Sequence, residues 1–337
     1  MLESPLNLEA LRAAPSRVAF ATPSASLVDL GDGVLCLEFH SKGNTLDAGT
    51  LETLEAAYEI VPRSFKGLVV GNQGANFSFG ANLHWILAML AEFENDHAAF
   101  AASGKRVQRA ITGVRAAPFP VVAAPFGLTI GGALELSMYC DAVQAYADLC
   151  AGLPEAAIGI LPDLGGTSEL YARCIDAAGP GNEAAALRQA FETLVFLKRS
   201  KHAEDARELR FLRAHDRISK DKSLLLNDAK RRVLELHAGG YAPPPPREAI
   251  PVLGEAGFAE IVRNVEKAQS AGMASEHDGT VARAIARVMT GDGGPPRNVA
   301  HQELLDLETH YFGTLVWEPK TRARMAHMLE TGEPLRN

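Results

Sequence analysis

Glu135 and Glu155 are the acids whose surroundings in this sequence best suit acid–base chemistry. Glu135 comes three residues after Gly132 in Thr129-Ile130-Gly131-Gly132, and Glu155 closes Gly152-Leu153-Pro154-Glu155. A second glycine-containing turn, Asn76-Phe77-Ser78-Phe79-Gly80-Ala81-Asn82, lies earlier in the chain. Each turn stands between an apolar run and a helix-spaced segment, so each presents backbone N–H groups at a helix start. Two such amides can converge on one oxygen and stabilise negative charge as it forms there. Taken singly, either turn reads more readily as plain structure. An acid in the first helical turn after Gly132 shifts the reading toward a site. Paired carboxylates in an apolar pocket can divide the roles of base and acid, since burial keeps one protonated while the other stays ionised.

The elements that must position these groups are legible as alternating strands and helices. Residues 34–39, 67–70, 120–124 and 142–147 read as strands, and residues 46–60, 98–116 and 133–139 as helices. Alternation of this kind predicts an α/β fold. Residues 1–26, with Pro5, Pro15 and Pro23 and no sustained periodicity, read as a lead-in segment. Residues 27–215 read as the catalytic core and 216–337 as a helical C-terminal region. The signal is almost wholly helical beyond about residue 185, with a polyproline-like interruption at 239–246.

Three linked motifs resemble those of the enoyl-CoA hydratase/isomerase (crotonase) family. Residues 76–82 resemble its F-S-x-G-A-D element, and Gly131-Gly132-Ala133-Leu134-Glu135-Leu136 its G-G-G-x-E-L element. Gly152-Leu153-Pro154-Glu155, Ile158-Gly159-Ile160-Leu161-Pro162 and Gly165-Gly166-Thr167 resemble its G-x-P-E-x-x-x-G-x-x-P-x-x-G-G element. The match runs from about residue 30 to 215, and the C-terminal part resembles the hydratase portion of bacterial fused 3-hydroxyacyl-CoA dehydrogenase/enoyl-CoA hydratases. The resemblance implies a spiral of ββα repeats with a helical C-terminal region, assembled as a homotrimer or hexamer. It implies that the N–H groups of Ala81 and Gly132 form an oxyanion hole, with Gly80, Asn82, Gly131 and Pro154 contacting substrate. Glu135 and Glu155 then handle the water and the proton at C2. Coenzyme A is part of the substrate, and neither a metal nor a separate cofactor is expected.

The expected reaction is water addition to 2-trans-enoyl-CoA in fatty-acid β-oxidation or a related acyl-CoA pathway. The alternatives are double-bond isomerisation and a non-catalytic acyl-CoA-binding role. Asp163 marks the isomerase alternative, because dienoyl-CoA isomerases of the family carry an aspartate there; as a bland reading it is a turn residue facing solvent. Other departures are Asn82 for the usual aspartate, Ala133 for the third glycine, and Arg210 where many relatives have glycine. No G-x-G-x-x-G unit is present, so a 3-hydroxyacyl-CoA dehydrogenase partner is expected as a separate chain or as removed sequence.

Composition bounds these readings. Of the 337 residues 47% are hydrophobic and 22% charged, which is ordinary for a globular chain. A formal charge of −8, with no long basic block, argues against nucleic acid as a partner. No apolar run approaches the roughly 20 residues that span a bilayer, and residues 1–26 lack a signal-peptide core, so a soluble cytoplasmic protein is expected. Cys36, Cys140, Cys150 and Cys174 are too dispersed for a metal site and read as reduced core residues. His84 and Trp85 are weak candidates for an acyl-pocket wall, and the basic residues 198–202 for coenzyme A phosphates.

Overall fold

The computed structural model describes residues 4–337, which divide into two compact units. The first takes residues up to 82, 109–152 and 199–244; the second takes 83–108, 153–198 and 245–337.

Among the described residues the first unit holds nine strands: β1 (Val18–Ala21), β2 (Ala25–Asp29), β3 (Val34–Phe39), β4 (Gly67–Gly71), β5 (Val121–Ala124), β6 (Leu128–Ile130), β7 (Ala142–Tyr146), β8 (Cys150–Gly152) and β9 (Arg217–Ser219). Seven of them form one sheet in the order β1-β2-β3-β4-β5-β7-β9. The β1–β2 and β2–β3 pairs are antiparallel, and pairing from β3 to β9 is parallel. Every residue of β3, β4 and β5 is buried, which explains their unbroken apolar sequences: parallel strands are covered on both faces. The helix Leu225–Ala238 covers β4, β5 and β7. A small parallel ladder joins β6 to β8, and the helix Gly132–Tyr139, buried along its whole length, leaves the end of β6.

The second unit is mainly helical. Its helix Gly166–Ala178 packs on Glu183–Val195, Glu276–Thr290 and His301–Val316. The Glu276–Thr290 helix begins in a reciprocal capping box between Ser275 and Asp278 and buries Val281, Ile285 and Val288 along one stripe. Strands β10 (Ile250–Val252) and β11 (Arg297–Val299) form an antiparallel pair.

Where the two can be compared, the strands and helices read from the sequence recur within a few residues. The organisation differs in two respects. Residues 1–26 are not a loose lead-in where described: Leu8 is fully buried and β1 already pairs with β2. A four-residue edge strand and a five-residue helix are too short to show a period. The late region also carries β9, β10 and β11, each only three residues long. The units divide near 83, 109, 153, 199 and 245, and the last of these divisions falls in the proline-rich stretch. Arg210 adopts φ +67°, a backbone conformation that glycine reaches without cost.

Candidate active site

In the first unit the two glycine turns are sewn together by backbone hydrogen bonds. Ser78 N–H donates to Leu128 O at 3.1 Å, and Ile130 N–H donates to Ser78 O at 3.1 Å. Phe77 anchors the first turn: its fully buried ring lies edge-on to Phe39 and Phe126, with centroids 6.0 and 6.2 Å away. Asn44 and Asn72 hold the same turn by donating to backbone carbonyls at Asn76 and Phe77.

This stitching passes over two amides. Leu46 N–H donates to Gly80 O and Asn82 N–H donates to Leu46 O, both at 2.8 Å, which skips the N–H of Ala81. Gly131 N–H donates to Gly152 O at 3.0 Å and Glu135 N–H to Gly131 O at 2.9 Å, which skips the N–H of Gly132. Neither Ala81 nor Gly132 donates its amide to any acceptor among the described residues. The two lie close together, because a Cβ built on Gly80 would stand 3.3 Å from Gly132 N and 2.6 Å from Ile130 O. Gly80 has φ +80°, so both its conformation and its surroundings require glycine. Glu135 sits in the first turn of the helix that Gly132 begins, and is 1% exposed. The unit thus pairs two open amides with a buried acid.

The second unit holds the remaining acids. Pro154 precedes the short 3₁₀ turn Glu155–Ile158. One late helix, Pro319–Thr331, grips this turn twice: Arg324 donates to Ala156 O at 3.4 Å and Thr321 to Gly159 O at 2.9 Å. Arg324 is fully buried and pairs with Asp278 at 2.8 Å. Glu155 Oε2 is shielded from solvent and has no hydrogen-bond partner among the described residues. Burial pushes the Glu155 carboxyl up to about 8, and the nearby charge of Asp163 adds to the effect. Burial likewise lifts Asp163, half-buried on its turn, to about 7. Glu308, on the helix His301–Val316, is pushed up to about 8 by burial, with Asp163 adding and hydrogen bonds from Ser168 and Gly165 opposing. A protonated Glu155 at neutral pH can give a proton away, whereas an ordinary surface glutamate cannot.

Residues 30–179 match the sequence model described as enoyl-CoA hydratase/isomerase, and this span includes both turns and Glu135, Glu155 and Asp163. These residues belong to the enoyl-CoA hydratase/isomerase family. Among curated relatives, a probable 3-hydroxyacyl-CoA dehydrogenase of Bacillus subtilis is 37% identical over 98% of this chain and 41% of its own length. A fatty acid oxidation complex subunit alpha of Colwellia psychrerythraea is 29% identical over 44% of this chain and 20% of its own length. The chain thus spans less than half the length of the curated relatives it matches. Among solved structures, an enoyl-CoA hydratase from Bacillus halodurans superposes with a TM-score of 0.58 at 18% identity, covering 89% of this chain and 98% of that one. That likeness concerns the fold, which is of the hydratase/isomerase (crotonase) type.

Within this family fold, Gly80, Ala81, Asn82, Gly131, Gly132 and Glu135 fall in the first unit, and Pro154, Glu155 and Asp163 in the second. His84 is exposed, Trp85 is half-buried, and Arg199, Lys201 and His202 are exposed. Glu308 is the acid that the sequence reading missed. Its signal was present: Leu304, Glu308 and Phe312 are spaced by four, which puts a carboxyl on the apolar stripe of its helix, and all three are buried.

Proposed function

We propose that this chain adds water to 2-trans-enoyl thioesters of coenzyme A, giving 3-hydroxyacyl-CoA. The observation that carries this reading is the pair of open amides, Ala81 and Gly132, brought together beside buried Glu135. The two N–H groups bind the thioester oxygen and stabilise the enolate charge that develops there, each donor being worth about 3 kcal/mol in the barrier. Glu135 takes a proton from water as the oxygen bonds to C3. Glu155, kept protonated by burial, gives a proton to C2, so the C2=C3 double bond is consumed and one water is added. Gly80, Asn82, Gly131 and Pro154 shape the acyl thioester site. Coenzyme A enters as part of the substrate, and a homotrimer or hexamer is the proposed assembly. A 3-hydroxyacyl-CoA dehydrogenase is the natural consumer of the product, and one curated relative bears that name.

The test is incubation with crotonyl-CoA and with a longer 2-enoyl-CoA while the conjugated enoyl absorbance is followed. Loss of absorbance with both parental acids, and its retention when either is changed to Gln, is the expected result. Unchanged absorbance with the parent protein would reject the hydratase reading. Asp163, half-buried with its carboxyl pushed up to about 7, favours a second reading, migration of a double bond in a dienoyl thioester, because that step returns a proton at a carbon distant from C2. Conversion of a 3,5-dienoyl-CoA by the parent and its loss in Asp163→Asn would support it.

A further inference from the structure

We propose that Glu308 is a positioning residue, whose carboxyl fixes the Asp163 turn and through it the acid environment of Glu155. The inference rests on the hydratase reading for its functional half and on the second unit alone for its geometry.

Glu308 Oε2 accepts the N–H of Gly165 at 2.8 Å, and Oε1 accepts the N–H of Ser168 at 2.6 Å. These amides lie at the start of the helix Gly166–Ala178, directly after the Asp163 turn. Helices are normally capped by a local Ser, Thr, Asp or Asn. Here the cap position is Gly165, with φ +99° and no side chain to offer, and the carboxyl comes from more than a hundred residues away in the sequence. Burying a carboxyl completely is a costly way to cap a helix. The cost is intelligible if the group ties separate elements together.

A second side chain makes the same tie. Gln108 Nε2 donates to Asp163 O at 2.7 Å, to Leu305 O at 3.0 Å and, more weakly, to Glu308 Oε2 at 3.4 Å. Thr309 Oγ1 donates to Gln108 Oε1 at 3.2 Å, which fixes the orientation of the amide. The turn is therefore held by Glu308 at the Gly165 and Ser168 amides and by Gln108 at the Asp163 carbonyl, while His301 contacts Ser168 Oγ at 3.2 Å. Among charged groups on the neighbouring elements, Lys105 is paired with Asp306 and Glu169 with Arg173. Asp163 is the carboxyl whose charge acts on both Glu155 and Glu308.

The experiment compares the full-length parent with Glu308→Gln, Glu308→Leu and Asp163→Asn, and with the Glu308→Gln/Asp163→Asn double variant. Gln keeps the shape but presents an amide group to one of the two N–H donors; Leu keeps neither bond. The expected result is a fall in kcat of about 10-fold for Gln and up to about 100-fold for Leu, with KM within about twofold, because a small misplacement costs rate rather than binding. In the Asp163→Asn background, Glu308→Gln should add less than about twofold, since both act through one turn. Amide hydrogen exchange over residues 163–168 should be faster in both Glu308 variants. A parental kcat in Glu308→Gln, or effects that simply multiply in the double variant, would overturn the proposal. If Glu308→Leu does not fold, Gln108→Leu loosens the same turn at the Asp163 carbonyl and is expected to give the same exchange and kcat pattern; parental behaviour there would also overturn it. If the parent hydrates no enoyl thioester, the hydratase reading fails separately, and unchanged exchange at 163–168 in Glu308→Gln still rejects the clamp.

Discussion

Gly80→Ala probes the proposed oxyanion hole more selectively than removal of an acid. The added Cβ would stand 2.6 Å from Ile130 O and 3.3 Å from Gly132 N, and both are backbone atoms that cannot rotate away. Alanine at φ +80° costs about 1–2 kcal/mol for the left-handed conformation. Relieving the overlap costs about 1–3 kcal/mol more, by analogy with overpacked cores. The expected destabilisation is therefore about 2–5 kcal/mol, read from the urea midpoint at constant slope. Relief must also move Ile130 or Gly132 away from Gly80, which misaligns one donor and should lower kcat by about 100- to 1000-fold. Gly74→Ala separates the two effects. Gly74 also has positive φ, +125°, but a Cβ there meets nothing within 4 Å, so strain is added without displacing an amide. It should lose stability and keep its rate. A Gly80→Ala protein with parental kcat, or a Gly74→Ala protein equally impaired in rate, would refute the reasoning.

Glu135→Gln and Glu155→Gln should each lower kcat by about two to four orders of magnitude with little change in acyl-CoA affinity, measured by steady-state hydration and by calorimetry with a non-reactive acyl-CoA. Stability should fall as pH rises from about 5 to 7, read from urea melts. Glu155, Asp163 and Glu308 all have folded-state pKa values above the ordinary range, so the folded protein holds protons that the unfolded chain has released. Each contributes a slope of up to about −1.4 kcal/mol per pH unit in that window. Glu308→Leu should flatten the profile; a profile that rises with pH would contradict these shifts. Arg324→Leu should cost about 3–5 kcal/mol, because it leaves Asp278 without its buried partner and frees the Ala156 carbonyl. A change under about 1 kcal/mol would show that the late helices do not secure the Glu155 turn.

Much of this site was legible because its parts are local. Gly80 and Gly131 mark positive-φ turns, and Glu135 follows the second of them at a fixed helical spacing, so sequence alone places an acid beside a helix start. That Ser78 pairs with Thr129 was not legible. A single bridge between segments fifty residues apart leaves no period in either, yet it brings the two open amides together. Residues 18–21 escaped notice for a related reason: Val18, Ala19, Phe20 and Ala21 are short and only half-patterned at a sheet edge, and their partner strand supplies the order. Asp163 read somewhat more readily as a solvent-facing turn residue than as a site acid, because its surroundings come from distant helices; it is half-buried and its carboxyl is pushed up to about 7. Glu308 could have been suspected from its place on an apolar stripe, but its targets, Gly165 and Ser168, are fixed only by the tertiary fold.

The claim that this chain hydrates enoyl thioesters is tested most directly by carrying out the reaction in ¹⁸O-labelled water and weighing the product. With crotonyl-CoA, the expected product is heavier than the substrate by one labelled water, carries the label at C3, and forms about two to four orders of magnitude more slowly with Glu135→Gln. A product of unchanged mass, or no product at all from the parent protein, would contradict the account.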